Sequence, residues 1–270
     1  MRKNAVLIVA IIAIAAVLGL RVAVNEMSGV SPPFTVVDSQ SMQHSHDSEV
    51  GIIDTGDMIL LRDTSKHEPV TYVEGYSSGY RMFGEYGDVI VYERPGQNQV
   101  IHRAILYLES NGDGTFTGRG LESYTGKWSC HDSGTDTSNP SEPSKLSGTL
   151  EMENIGYGGK KVSIDLSVLS GSGYLTMGDN ADTNGYFDQG SGITSGLVTD
   201  DRVKATAWKE IPWAGSVKLI MNGNDGALNS WAPSSLGYLT AALATIFMTI
   251  IGIGFALDAL HLRKALKGGH

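Results

Sequence analysis

Apolar positions fall into two long runs at the ends of the chain and a series of short ones between them. Ala5 to Val24 is apolar apart from Gly19 and Arg21, about 20 residues, the length that crosses a bilayer. Leu236 to Leu257 carries no charge and is similarly long. A cleavable signal peptide would also begin on Arg2-Lys3. Its apolar stretch is shorter, about 7–15 residues, and is followed by an A-x-A site, of which there is no clear example after this run, so residues 1–24 are expected to be an uncleaved anchor. Between the two runs lie short segments bounded by Gly and Pro: Val36-Val37, Met58 to Leu61, Val89 to Tyr92, Val100 to Tyr107, Lys161 to Val168, Tyr174 to Met177, Leu197-Val198, Val203 to Trp208 and Trp213 to Met221. Segments of this length and spacing predict strands, and residues 25–235 are expected to form a mainly β domain. Two polar stretches, 64–85 and 111–147, have no strand pattern and are expected to be exposed insertions. Residues 236–257 would be a second membrane helix and 258–270 a basic tail.

Charge at the run ends sets the expected topology. Arg2 and Lys3 precede the first run, and Arg263, Lys264 and Lys267 follow the second. Basic residues stay on the cytoplasmic side, so both termini are expected in the cytoplasm and the β domain outside. That domain holds 14 Lys+Arg against 28 Asp+Glu, a formal charge of −14. Such a surface repels nucleic acid. With one cysteine, Cys130, the domain cannot close an internal disulfide.

Candidate chemistry starts at Ser39-Gln40-Ser41-Met42, just after the Val36-Val37 strand. In an extended chain, residues i and i+2 share a face, so one hydroxyl would attack a carbonyl while the other stabilises the oxyanion. A serine needs a base and an orienting group to become a nucleophile. His102 stands in the strand segment Ile101-His102-Arg103. Two acids follow, Asp179 in Gly178-Asp179-Asn180 and Asp188 in Phe187-Asp188-Gln189.

Five blocks in order resemble type I signal peptidase, in the archaeal and endoplasmic-reticulum branch that uses histidine where bacteria use lysine. They are Ser39-Gln40-Ser41-Met42; Gly56-Asp57-Met58-Ile59; Gly87-Asp88-Val89-Ile90-Val91 with Val100-Ile101-His102-Arg103; Gly178-Asp179-Asn180 with Asp188-Gln189; and Val203-Lys204-Ala205-Thr206-Ala207 with Ile211-Pro212-Trp213. The resemblance covers roughly residues 36–221, with gaps. It implies an antiparallel β domain flanked by two transmembrane helices, and a membrane-bound serine endopeptidase that removes signal peptides from exported preproteins. Ser41 would be the nucleophile and His102 the base. Asp188 would be the triad acid, with Asp179 holding the loop or sharing that role. The Ser41 amide and the Ser39 hydroxyl would form the oxyanion hole. No cofactor is implied; the partners would be preproteins, the bilayer and the secretion translocon. The chain departs from the family pattern at His44, where proline is usual, at Gln40, and in the length of residues 181–187.

Two further patterns compete. His44-Ser45-His46-Asp47 offers zinc-type ligands. Asn180 to Gly185 resembles the start of a calcium loop with Asp188 at its ninth place, although Ser191 stands where a glutamate is needed. The alternative to an enzyme is therefore a membrane-anchored acidic surface protein that binds calcium.

Overall fold

A computed structural model describes residues 2–131 and 142–267; the stretch 132–141 of the predicted second insertion and residues 268–270 lie outside the described residues. Helix α1 (Arg2–Ser28) leads to strands β1 (Phe34–Val36) and β2 (Met58–Arg62), then α2 (Tyr72–Ser78) and the short hairpin β3 (Arg81–Met82) and β4 (Glu85–Tyr86). There follow β5 (Val89–Tyr92), β6 (Val100–Ser110), β7 (Phe116–Gly118), β8 (Trp128–His131), β9 (Thr149–Ile155), β10 (Lys160–Asp165) and β11 (Gly173–Met177). The chain closes with α3 (Asp188–Ser191), β12 (Val203–Ile211), α4 (Ser216–Met221), α5 (Asp225–Trp231) and α6 (Ser235–Lys267).

The main sheet runs β1-β2-β12-β5-β6-β11, with β7 added to the far end of β6. Every strand pair in it is antiparallel. A second antiparallel sheet, β10-β9-β8, packs with α2 against one face of the β6–β11 end around Leu106, Leu108, Leu150, Met152 and Tyr124. Ile90, Tyr92, Ala104 and Tyr174 form a separate cluster, and Val37, Met42, Ile59 and Leu61 close the β1–β2 end. The mainly β expectation therefore holds.

Several expected elements differ. Residues 64–85 are not an exposed excursion. Thr71 and Glu74 form a reciprocal capping box that starts α2, and Tyr72 and Val73 are buried. Tyr72, Tyr76, Tyr86 and Tyr124 pack edge to face. Likewise 111–147 supplies β7 and β8 and the buried Phe116, Leu121, Tyr124 and Leu146. Trp213 to Met221 is a turn and helix α4 rather than a strand, because a short apolar run fits either periodicity. Leu197-Val198 contributes a single bridge, Val198 to Tyr174. The predicted tail from residue 258 continues α6 as far as Lys267. Within α6, Ser235–Phe255 is long and apolar enough to cross a membrane, and its most apolar stretch is not buried against the domain.

Candidate active site

Strand β1 stops at Val36, so Ser39 and Ser41 lie in the turn beyond it and not on a strand face. The two hydroxyls nonetheless meet, with Oγ to Oγ at 3.3 Å. Met42 is buried beneath them in the β1–β2 core. Around the turn, the Gln40 carbonyl accepts from Asn180 Nδ2 at 2.8 Å, and the Ser41 carbonyl accepts from the Asn180 amide at 3.0 Å and from Asn184 Nδ2 at 2.9 Å. Gly178 is required by this approach: a Cβ there would stand 2.4 Å from the Ser41 oxygen.

Alternation along β6 sends His102 and Arg103 through opposite faces of the sheet, and each side chain meets one of the two candidate aspartates. His102 Nδ1 lies 2.8 Å from each carboxylate oxygen of Asp188, at the start of α3. Asp188 also accepts from the Tyr92 hydroxyl at 2.8 Å and the Thr176 hydroxyl at 2.6 Å. Tyr92 comes from β5 and Thr176 from β11, two of the strands paired with β6. Burial pushes the Asp188 carboxyl upward, but His102 and the Thr176 and Tyr92 hydroxyls outweigh it and hold it below the usual range. An ionised carboxylate only accepts, so Nδ1 carries the proton and Nε2 presents its lone pair. Among the described residues no hydrogen bond joins His102 to Ser41; in resting enzymes such contacts are often long and tighten with substrate.

Asp179 does something else. Arg103 Nε donates to its Oδ1 at 2.8 Å, and the same guanidinium donates to the carbonyls of Gly87 at 2.9 Å and Tyr86 at 3.1 Å. Burial raises the Asp179 carboxyl, yet Arg103 overrides this and sets it at about 2. The Lys160 ammonium spans the carbonyls of Gly178, Asp179 and Asn180 at 3.0–3.4 Å, so this lysine is fastened to the loop.

The competing zinc pattern does not converge. His44 stacks flat on Tyr157, with centroids 4.0 Å apart, and its Nε2 lies 3.9 Å from Asp179 Oδ2, whereas His46 and Asp47 are exposed. In the candidate calcium loop, Asn180 Oδ1 accepts from the amides of Asp182 and Thr183, and Asp188 is engaged by His102. Among the described residues no group of three or more His, Cys, Asp or Glu is placed to hold a metal ion.

Tyr92, Thr176 and Lys160 carry no role in the sequence reading; Arg103 enters it only within the His102 block and Asn184 only within the calcium-loop pattern. A second His–Asp pair, His67 Nε2 to Asp88 Oδ2 at 2.7 Å, carries Tyr80 on the same carboxylate, so the pairing alone does not define a catalytic site. No family model, curated protein or solved structure matches this chain.

Proposed function

We propose that the chain is a membrane-anchored serine endopeptidase of the type I signal peptidase kind, cutting signal peptides from exported preproteins. The observation that carries it is the buried Asp188–His102 pair, with Nε2 free to accept a proton, on the same fold as a Ser39–Ser41 hydroxyl pair whose backbone is pinned from the Gly178–Asn184 loop. His102 Nε2 would take the Ser41 Oγ proton as Oγ attacks the scissile carbonyl, then return it to the leaving amine. Asp188 would hold the tautomer and stabilise the imidazolium. The Ser41 N–H and Ser39 hydroxyl would receive the oxyanion, such donors being worth roughly 3–4 kcal/mol each in other proteases. Water then releases the acyl group by the same proton route. Asp179 is assigned to the loop rather than to the triad.

In this scheme both α1 and α6 cross the membrane, both termini are cytoplasmic and the β domain is outside. A signal's apolar run stays in the bilayer, so its peptidase acts at the outer face. The test is cleavage of a preprotein by the full chain in detergent. Ser41→Ala and His102→Ala should each lower turnover at least about 10⁴-fold and together no further, since the pair acts as one unit. A His102→Ala chain with near-normal turnover would overturn the assignment. Protease added to intact cells should reach the domain and spare a tag at His270; digestion of that tag would reverse the topology.

A further inference from the structure

Ser41 lies in a turn, so no strand ladder orients it. Three successive carbonyls do this instead. The Ser39 oxygen lies 3.0 Å from the Thr55 hydroxyl. The Gln40 oxygen takes Asn180 Nδ2, and the Ser41 oxygen takes both the Asn180 amide and Asn184 Nδ2. A trans peptide is planar with its C=O and N–H opposed. Pinning the Gln40 oxygen therefore aims the Ser41 N–H, and pinning the Ser41 oxygen fixes the peptide plane that leaves it. Both acceptor directions of the Ser41 carbonyl are occupied, one of them by a side chain. That side chain is buried; its own backbone amide bonds the Asn180 carbonyl at 3.1 Å, and its Nδ2 also lies 3.0 Å from the Thr183 hydroxyl.

We propose that Asn184 is a positioning residue for the Ser41 nucleophile: its amide, delivered by the 181–187 turn between the two aspartates, fixes the rotation of the Ser41 backbone so that Oγ faces His102 and the N–H faces the oxyanion. This rests on the peptidase assignment above. The turn is then part of the catalytic apparatus and not a spacer. Gly178 belongs to the same device, since a Cβ there would meet both the Ser41 oxygen and Asn184 Nδ2, the latter at 2.6 Å. Asn180 alone holds the peptide before Ser41, and Asn180 and Asn184 together hold the one after it.

Asn184→Asp isolates the donor. The side chain keeps its size and shape, but at neutral pH it turns an acceptor toward the Ser41 oxygen; a protonated carboxyl restores the donor. With the full chain in detergent and a preprotein substrate, kcat at pH 8 should fall about 10- to 100-fold, the scale of a small misplacement of a reacting group. KM should stay within about twofold. The ratio of variant to wild-type kcat should climb as pH is lowered into the carboxyl range, a readout that mere knitting of the turn would not move. Asn184→Ala should lower kcat with a ratio flat in pH, and it gives the same kcat-against-KM split should Asn184→Asp not fold. If the wild type cleaves and the variants match it, or if kcat falls only in step with a lost fold, the inference is overturned and the peptidase assignment stands. If the wild type does not cleave the preprotein, both fall.

Discussion

His102 and Arg103 are neighbours on β6, yet the two sides of the strand use the same kind of partner for different ends. Each residue holds one buried aspartate. On the His102 side every donor to the carboxylate is an imidazole or a hydroxyl. On the Arg103 side the donor is a guanidinium that cannot lose its charge, and it also gathers the carbonyls of Tyr86 and Gly87. Both carboxyls are held below their usual range, so acidity does not tell them apart. What separates them is whether the partner opposite can exchange a proton. One face is suited to chemistry and the other to architecture.

The sharpest way to break this contrast is Asp188→Asn. It keeps the shape of the site, removes the charge behind the imidazolium, and should lower turnover by up to about 10⁴-fold with the fold retained. Near-normal turnover would exchange the roles of the two acids. Asp179→Asn should act on stability instead. It strands a fully buried Arg103, and removing one partner of such a pair costs about 3–5 kcal/mol, read by chemical denaturation. Turnover per folded molecule should suffer far less than in Asp188→Asn.

A third set of buried acids sharpens the contrast through pH. Asp54, Asp57 and Glu210 face backbone amides and one another rather than a cation: Asp57 takes the amides of Asp54 and Trp213, both at 2.8 Å. Asp54 Oδ1 and Glu210 Oε2 are buried without a hydrogen-bond partner. Burial lifts all three to about 7 from ordinary values of 3.8 for aspartate and 4.5 for glutamate. For these groups the folded state holds protons that the unfolded state has lost, so their contribution is full below the ordinary values and drains away as pH rises through 7. Asp179 and Asp188 run the other way. Their contribution is full above 3.8 and is lost as pH falls, toward about 2 for Asp179. Urea denaturation across pH should find greatest stability between about 4 and 6, and a curve still rising from 6 to 8 would contradict the account. The smallest effect is expected from Asp54→Asn, which should stabilise the chain at pH 8 by about 1 kcal/mol and flatten the alkaline limb.

Much of the candidate site was legible because its chemistry lies in residue types at fixed order: the serines, His102 and the late aspartates. That His102 would meet Asp188 followed only from the resemblance, and the Arg103–Asp179 pair was not legible, since both depend on a register shift between Leu175 and Thr176 and on a one-turn helix starting at Asp188. The serines carry a warning. Their expected closeness came from strand geometry, and they are close although β1 ends before them. Gly87 read only as a turn residue, whereas a Cβ there would lie 2.5 Å from the Thr71 backbone, so its role is to let α2 approach. The polar stretches hid core residues because Tyr72, Phe116, Leu121 and Leu146 are diluted among Gly and Ser. The local pattern around Asn184 suggested an ion loop and not its contact with Ser41, which lies 143 residues away.

The junction before α6 has a mechanical consequence. Gln43 Nε2 donates to the Trp231 carbonyl at 2.8 Å, the Ser48 amide to Ser234 Oγ at 3.2 Å, and Ser235 Oγ to the Thr55 carbonyl at 3.3 Å. Gln43 is two residues beyond Ser41, and Thr55 touches the carbonyl of Ser39. The loop that bears the serines is thus bolted to the first turn of the apolar helix, with no slack segment between them. A tilt of that helix would therefore bear directly on the serine loop.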